Sequence, residues 1–207
     1  MLDRAAQALI APALGWAAGA LARRGVAADA ITLAGFALGL VGAVCIGTGH
    51  PLIGLLWLLA SRLADGLDGA VARLTKPTDR GAFLDITLDF AFYASVPLAF
   101  ALADPHANAL AAAVLLAAFI GTASSFLAFA VLAERRGLAS LAYPNKGLYY
   151  LGGLTEATET LACFVAMCLW PAAFAALALG FAALCGLTWL ARLQAGWLVF
   201  GQLRGRA

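Results

Sequence analysis

The chain has 207 residues, of which 64% are hydrophobic and only 12% charged, with a net charge of +2. Soluble domains average roughly 25% charged residues, and a mean hydropathy of +0.93 with long apolar runs excludes an ordinary soluble domain. Cys45, Cys163, Cys168 and Cys185 all lie in apolar runs without CxxC or metal spacing, which excludes a disulfide or zinc framework and reads as small buried hydrophobes.

No linker, low-complexity tail or internal repeat interrupts residues 1–207, so a single all-α polytopic membrane domain is expected. Residues 1–25 are Ala-rich, with Arg4, Arg23 and Arg24. Ala18-Gly19-Ala20 faintly resembles a signal cleavage site. Pro12 and Gly15 interrupt the apolar run, however, and favour an interfacial helix with Trp16 at headgroup depth. Six membrane spans follow, at about 30–49, 51–72, 81–103, 107–132, 148–170 and 172–194. Asp29, at the entrance of the first, reads as a helix N-cap. Gly35, Gly39 and Gly42 form a small-residue stripe, suited to helix packing within or between chains. Turns at His50-Pro51, Asp104-Pro105-His106 and Trp170-Pro171 alternate with basic segments at 74–80 and 133–147. All 13 Lys and Arg fall in the tails, in those two segments, or toward span ends on the same side. By the positive-inside rule, both termini and the basic loops face the cytoplasm.

The polar chemistry concentrates at the end of the second span and the start of the third. Asp65 and Asp68 stand three apart, and Asp85 and Asp89 four apart, so each pair shares one helix face. Ionised carboxylates in such apolar surroundings are costly unless paired or bound to metal. Antiparallel spans bring the two acidic ridges to the same membrane face, where oxygen ligands suit one or two divalent cations. Arg62, three before Asp65, is placed for an ion pair with that ridge. Gly69 lets a nucleotide approach the backbone, Ala72 keeps the groove open, and Arg73 suits a two-pronged phosphate contact.

Asp65, Asp68, Gly69, Ala72, Arg73, Gly81, Asp85 and Asp89 resemble the signature of the CDP-alcohol phosphotransferase family, D-x2-D-G-x2-A-R-x8-G-x3-D-x3-D. Seven rather than eight residues separate Arg73 from Gly81, a deletion in the polar turn LTKPTDR where length is tolerated. The resemblance implies six membrane helices behind an N-terminal interfacial helix, and a homodimer. It implies transfer of a phosphoalcohol group from a CDP-alcohol, CDP-diacylglycerol being the commonest, to a hydroxyl acceptor. CMP leaves and a phospholipid is built at the cytoplasmic side of a bacterial inner membrane. It further implies two Mg²⁺ or Mn²⁺ ions, one held by Asp65, Asp68 and Asp85 and the other by Asp65, Asp85 and Asp89. Asp89 would take the acceptor's proton. Thr32 would lie near the nucleotide with Gly69, Ala72, Arg73 and Gly81; where the family often shows Asn-x-x-Thr, this chain has Asp29 and Thr32.

Arg135, Arg136 and Lys146 are candidates for a phosphate on the acceptor, and equally for topology-setting charges. Glu156 and Glu159, three apart, are candidates for the acceptor pocket or for a helix cap. No nucleic-acid partner is expected. An intramembrane prenyltransferase also holds a diphosphate with Asp-rich helices, but residues 104–207 carry no second aspartate cluster. A cation transporter needs buried carboxylates too, yet its sites favour the bilayer midplane and internal repeats. The released product separates the three: CMP, inorganic diphosphate, or none.

Overall fold

The computed structural model describes residues 2–138 and 154–201. Among them the order is α1 (Leu2–Arg23), α2 (Ala28–Gly47), α3 (Pro51–Leu74), α4 (Asp79–Ala103), α5 (Pro105–Arg135), α6 (Ala157–Leu169) and α7 (Phe174–Gly201). No strand occurs among the described residues.

Local chemistry sets the boundaries. Pro51 and Pro105 open α3 and α5 at the first helical position, where the missing N–H is no loss. The Thr78 hydroxyl accepts from Gly81 N at 3.0 Å and caps α4. Asp104 Oδ1 accepts from Ala107 N at 3.1 Å and caps α5. Gly49 (φ 85°) and Gly137 (φ 62°) turn the chain out of α2 and α5 in the left-handed conformation that glycine adopts without strain.

The helices run up and down. The glycine stripe of α2 faces α3 in antiparallel register: a Cβ on Gly42 would stand 2.9 Å from Gly54 O, and one on Gly35 would stand 2.9 Å from Ala64 Cβ. Gly39 faces both α3 and α4, its Cβ position lying 2.5 Å from Phe92 Cδ2 and 3.0 Å from Ser61 Oγ. The stripe therefore packs inside one chain and offers nothing to a second copy. Phe92, Phe100, Phe164, Phe174 and Phe181 are buried at the centre of the bundle, with Phe100 stacked on Phe174 at 4.5 Å. Large apolar side chains point outward in turn, among them Leu56, Leu102, Leu110 and Ile120, as helix faces in lipid require.

α2, α4, α5 and the segment Pro171–Gly201 are each long and apolar enough to cross a membrane. The 20 residues of α2 span about 30 Å at 1.5 Å per residue. The 24-residue α3 has the length as well, but carries Arg62, Asp65, Asp68 and Arg73. The protein is thus an all-α polytopic membrane protein. The expected fifth span lies partly outside the described residues; its described helix, α6, has 13 residues. The expected interfacial helix is a continuous 22-residue helix that runs through Pro12. Its Trp16 is 79% exposed, and its Ala18 is buried against Ile31, Ala70 and Val71.

Candidate active site

α3 and α4 carry the acidic ridges, and α2 forms the third wall. Thr32, Gly35, Phe36, Ser61, Arg62, Asp65, Asp85, Leu88 and Asp89 line one cleft. Asp65, Asp68 and Asp85 each bring a carboxylate oxygen within 4.8 Å of the others. Asp68 is buried at 5% exposure, Asp65 is half-buried and Asp85 exposed. Asp68 Oδ2 is enclosed with no hydrogen-bond partner in the protein. Several carboxylates packed together, one with a buried oxygen lacking a donor, fit a hard divalent cation.

Asp89 lies on the same face of α4 as Asp85 but belongs to a different set of contacts. Its Oδ1 accepts from Arg62 Nη1 of α3, and the same guanidinium nitrogen stands 3.6 Å from Asp65 Oδ1. The Arg62 guanidinium carbon stands over the Phe92 ring, 3.8 Å from its centre. The ion pair foreseen with Asp65, one turn away, thus extends across to α4.

The remaining motif positions surround this centre. Thr32 lines the cleft and donates to Ala28 O at 3.1 Å. Gly69 and Ala72 follow Asp65 and Asp68 along α3, and Arg73 lies exposed beyond them. The Arg73 Nη1 atom would be 3.4 Å from a Cβ on Gly69, so it covers the glycine. Gly81 has a packing reason: a Cβ there would stand 3.0 Å from Asp29 Oδ1 and 3.2 Å from Thr78 Oγ1. Asp29 itself corrects an expectation. Ala27 holds the N-cap position of α2, with no side-chain cap. Asp29 Oδ2 instead accepts from Arg80 Nε at 2.7 Å and latches α2 to α4.

The candidates for the acceptor side stand apart from the cleft lining. Glu156 and Glu159 form a capping box on α6, with Glu156 N donating to Glu159 Oε2 at 3.1 Å. Arg136 donates to Phe200 O at 3.3 Å and sits over the Phe200 ring, joining α5 to α7. Arg135 is exposed in the last turn of α5. Lys146 lies outside the described residues.

The sequence matches the profile of the CDP-alcohol phosphatidyltransferases over residues 25–193. It is 49% identical over 204 residues to Inner membrane protein YnjF of Escherichia coli, 99% of each chain being covered. It is 46% identical over 63 residues to the archaetidylinositol phosphate synthase of Methanothermobacter thermautotrophicus, 30% of this chain and 32% of that one. The fold is similar to the crystal structure of the phosphatidylinositol phosphate synthase of Mycobacterium tuberculosis with CDP-DAG bound. There the TM-score is 0.70 and the identity 24%, over 89% of this chain and 93% of that chain. The same synthase in complex with manganese and citrate also gives a TM-score of 0.70 at 24% identity, over 89% of this chain and 88% of that one.

Proposed function

The chain belongs to the CDP-alcohol phosphatidyltransferase family, and from that premise we propose that it transfers the phosphatidyl group of CDP-diacylglycerol to a hydroxyl acceptor, releasing CMP. The observation that carries this reading is the convergence of Asp65, Asp68 and Asp85 oxygens within 4.8 Å, beside the cleft that Asp65 and Asp85 line. Such a set would hold Mg²⁺ or Mn²⁺, which would supply charge neutralisation and polarisation at a diphosphate.

The chain's own residues do the rest. Gly69 and Ala72 leave room for the cytidine nucleotide against α3, with Arg73 over it and Thr32 on the facing helix. Gly81 keeps α4 close enough to α2 for both walls to reach one substrate. In the transfer, the acceptor oxygen forms a bond to the phosphorus remote from cytidine. The bond from that phosphorus to the CMP oxygen breaks, and the hydroxyl proton passes to an Asp89 carboxylate oxygen. Asp89 already stands in the cleft, held in place by Arg62. Positioning of the two substrates in the cleft supplies much of the rate. A phosphorylated acceptor would meet the basic end of α5 at Arg135, with Lys146 further along the chain. The gathering of Lys and Arg at one end of the bundle supports a cleft that faces the cytoplasm from a bacterial inner membrane, by the positive-inside rule. A homodimer, which the family resemblance favours, has to use a face other than the α2 glycine stripe.

The test uses the purified protein in detergent with CDP-diacylglycerol, Mg²⁺ and a panel of alcohol acceptors, following CMP. Acceptor-dependent CMP release is expected. Inorganic diphosphate released from a prenyl donor would replace this reading with a prenyltransferase.

A further inference from the structure

Arg62 divides the four motif carboxylates into two groups. Asp65, Asp68 and Asp85 gather their oxygens together, and Asp89 stands outside that set. Asp89 is bonded instead to the Arg62 guanidinium, which also reaches Asp65 at 3.6 Å. Nothing about this arginine resembles a solvated surface charge. Its side chain is 13% exposed, it lies against Phe92, and Ser61 Oγ is 3.4 Å away. An arginine stays protonated under all ordinary conditions. The space between Asp65 and Asp89 is thus filled by a permanent positive charge carried by α3.

The geometry points to Arg62 as the substitute for a second divalent ion, so that this chain binds one ion, at Asp65, Asp68 and Asp85, and sets its own guanidinium between Asp65 and Asp89. This rests on the functional reading above and deepens it. A divalent cation bridging Asp65 and Asp89 would meet the guanidinium at contact distance, in a half-buried setting where like charges repel strongly. Arg62 has little room to withdraw, because Phe92 lies beneath it and is itself buried at 1% exposure. The fixed cation has two duties. It orients Asp89 toward the cleft, and it offsets substrate charge without having to be bound from solution. Arg62 is therefore a positioning residue, acting through Asp89 and the field of the cleft.

The test counts ions. The full chain in detergent is stripped with chelator and titrated with Mn²⁺, with free Mn²⁺ read by paramagnetic resonance. The wild type is expected to bind one Mn²⁺ per chain, with a signal free of coupling between neighbouring ions. Arg62→Ala opens the position between Asp65 and Asp89 and is expected to bind two, giving a spin-coupled pair. Arg62→Lys keeps a cation and is expected to bind one. Two ions in the wild type, or one in Arg62→Ala, would overturn the inference. If Arg62→Ala does not stay monodisperse, the wild-type count alone decides, one supporting the inference and two overturning it. The CMP assay separates the two readings. Two ions in a wild type that releases CMP would remove the inference and leave the function standing. A count of one rising to two in a protein that releases no CMP from any CDP-alcohol would do the reverse.

Discussion

Asp68 and Asp89 stand in different surroundings, and they should fail in different ways. Asp68 is buried with an oxygen that no protein donor satisfies, whereas Asp89 is held by Arg62. Asp68→Asn keeps an oxygen ligand but loses a charge, so it should weaken cation binding, and high Mg²⁺ should restore much of the CMP release. Asp89→Asn removes the proton acceptor and should lower turnover at saturating substrate by ~10²–10⁴, with CDP-alcohol binding retained and no Mg²⁺ rescue. Rescue of Asp89→Asn to wild-type turnover would make it a cation ligand and send the search for the base elsewhere. Ion binding also stabilises by mass action, so Mn²⁺ should raise the melting temperature of the wild type more than that of Asp68→Asn. The aspartate pairs were legible in the sequence because spacings of three and four residues define one helix face. The bond from Arg62 to Asp89 was not, because it joins residues 27 apart and depends on how α3 and α4 pack. Asp29 misled for a related reason. Its position at the head of α2 suited a cap, but Arg80 across the interface offered a charged partner.

At the scale of helices, the cleft depends on how closely α2 approaches α3 and α4. Gly39 is the tightest point, since a Cβ there would stand 2.5 Å from the ring of Phe92. That ring cannot yield easily, because it is buried and carries Arg62 on its face. Alanine in a helix is ordinarily better than glycine by about 1 kcal/mol. Overpacking a filled interface costs about 1–3 kcal/mol, and here the clash is severe enough to prevail. Gly39→Ala should therefore lower the melting temperature and reduce CMP release together, because Phe92 and Arg62 shift as one. Gly180→Ala is the control: nothing lies within 4 Å of its Cβ position, so stability should hold or rise slightly. A Gly39→Ala protein as stable and active as Gly180→Ala would mean that α2 can move away from α4 without consequence. The glycine stripe was legible as a packing surface, but its direction was not. Spacing alone is the same whether the neighbour is α3 or another copy. Glu156 and Glu159 show a similar limit. The same i,i+3 spacing serves a pocket or a capping box, and only the hydrogen bond from Glu156 N decides for the cap.

Across the whole molecule, polarity is distributed by end. Among the described residues, Arg23, Arg24, Lys76, Arg80, Arg135 and Arg136 gather where α1 ends, α3 meets α4, and α5 ends. The opposite turns, around His50, Asp104 and Trp170, carry no Lys or Arg. Composition alone picks out α2, α4, α5 and Pro171–Gly201 as spans. It passes over α3, whose Arg62, Asp65 and Asp68 interrupt the apolar run. Up-and-down packing supplies what hydropathy omits. The antiparallel register of α2 on α3 requires α3 to cross wherever α2 does, and α4 must then return. This fixes a topology that labelling can test. Pro77, exposed between α3 and α4, and Ala107, exposed at the start of α5, lie at opposite ends of α4. Pro77 serves better than Thr78, whose hydroxyl caps α4. Single cysteines are placed at each position after the four native ones are replaced. A membrane-impermeant maleimide should label Ala107→Cys in cells with a permeable outer membrane and an intact inner one, and Pro77→Cys only after the inner membrane is opened. Labelling of both from one side would mean that α4 does not cross. Labelling in the reverse order would keep the crossing but put the cleft on the outer face, where a nucleotide-linked donor made inside the cell could not reach Asp65, Asp68 and Asp85.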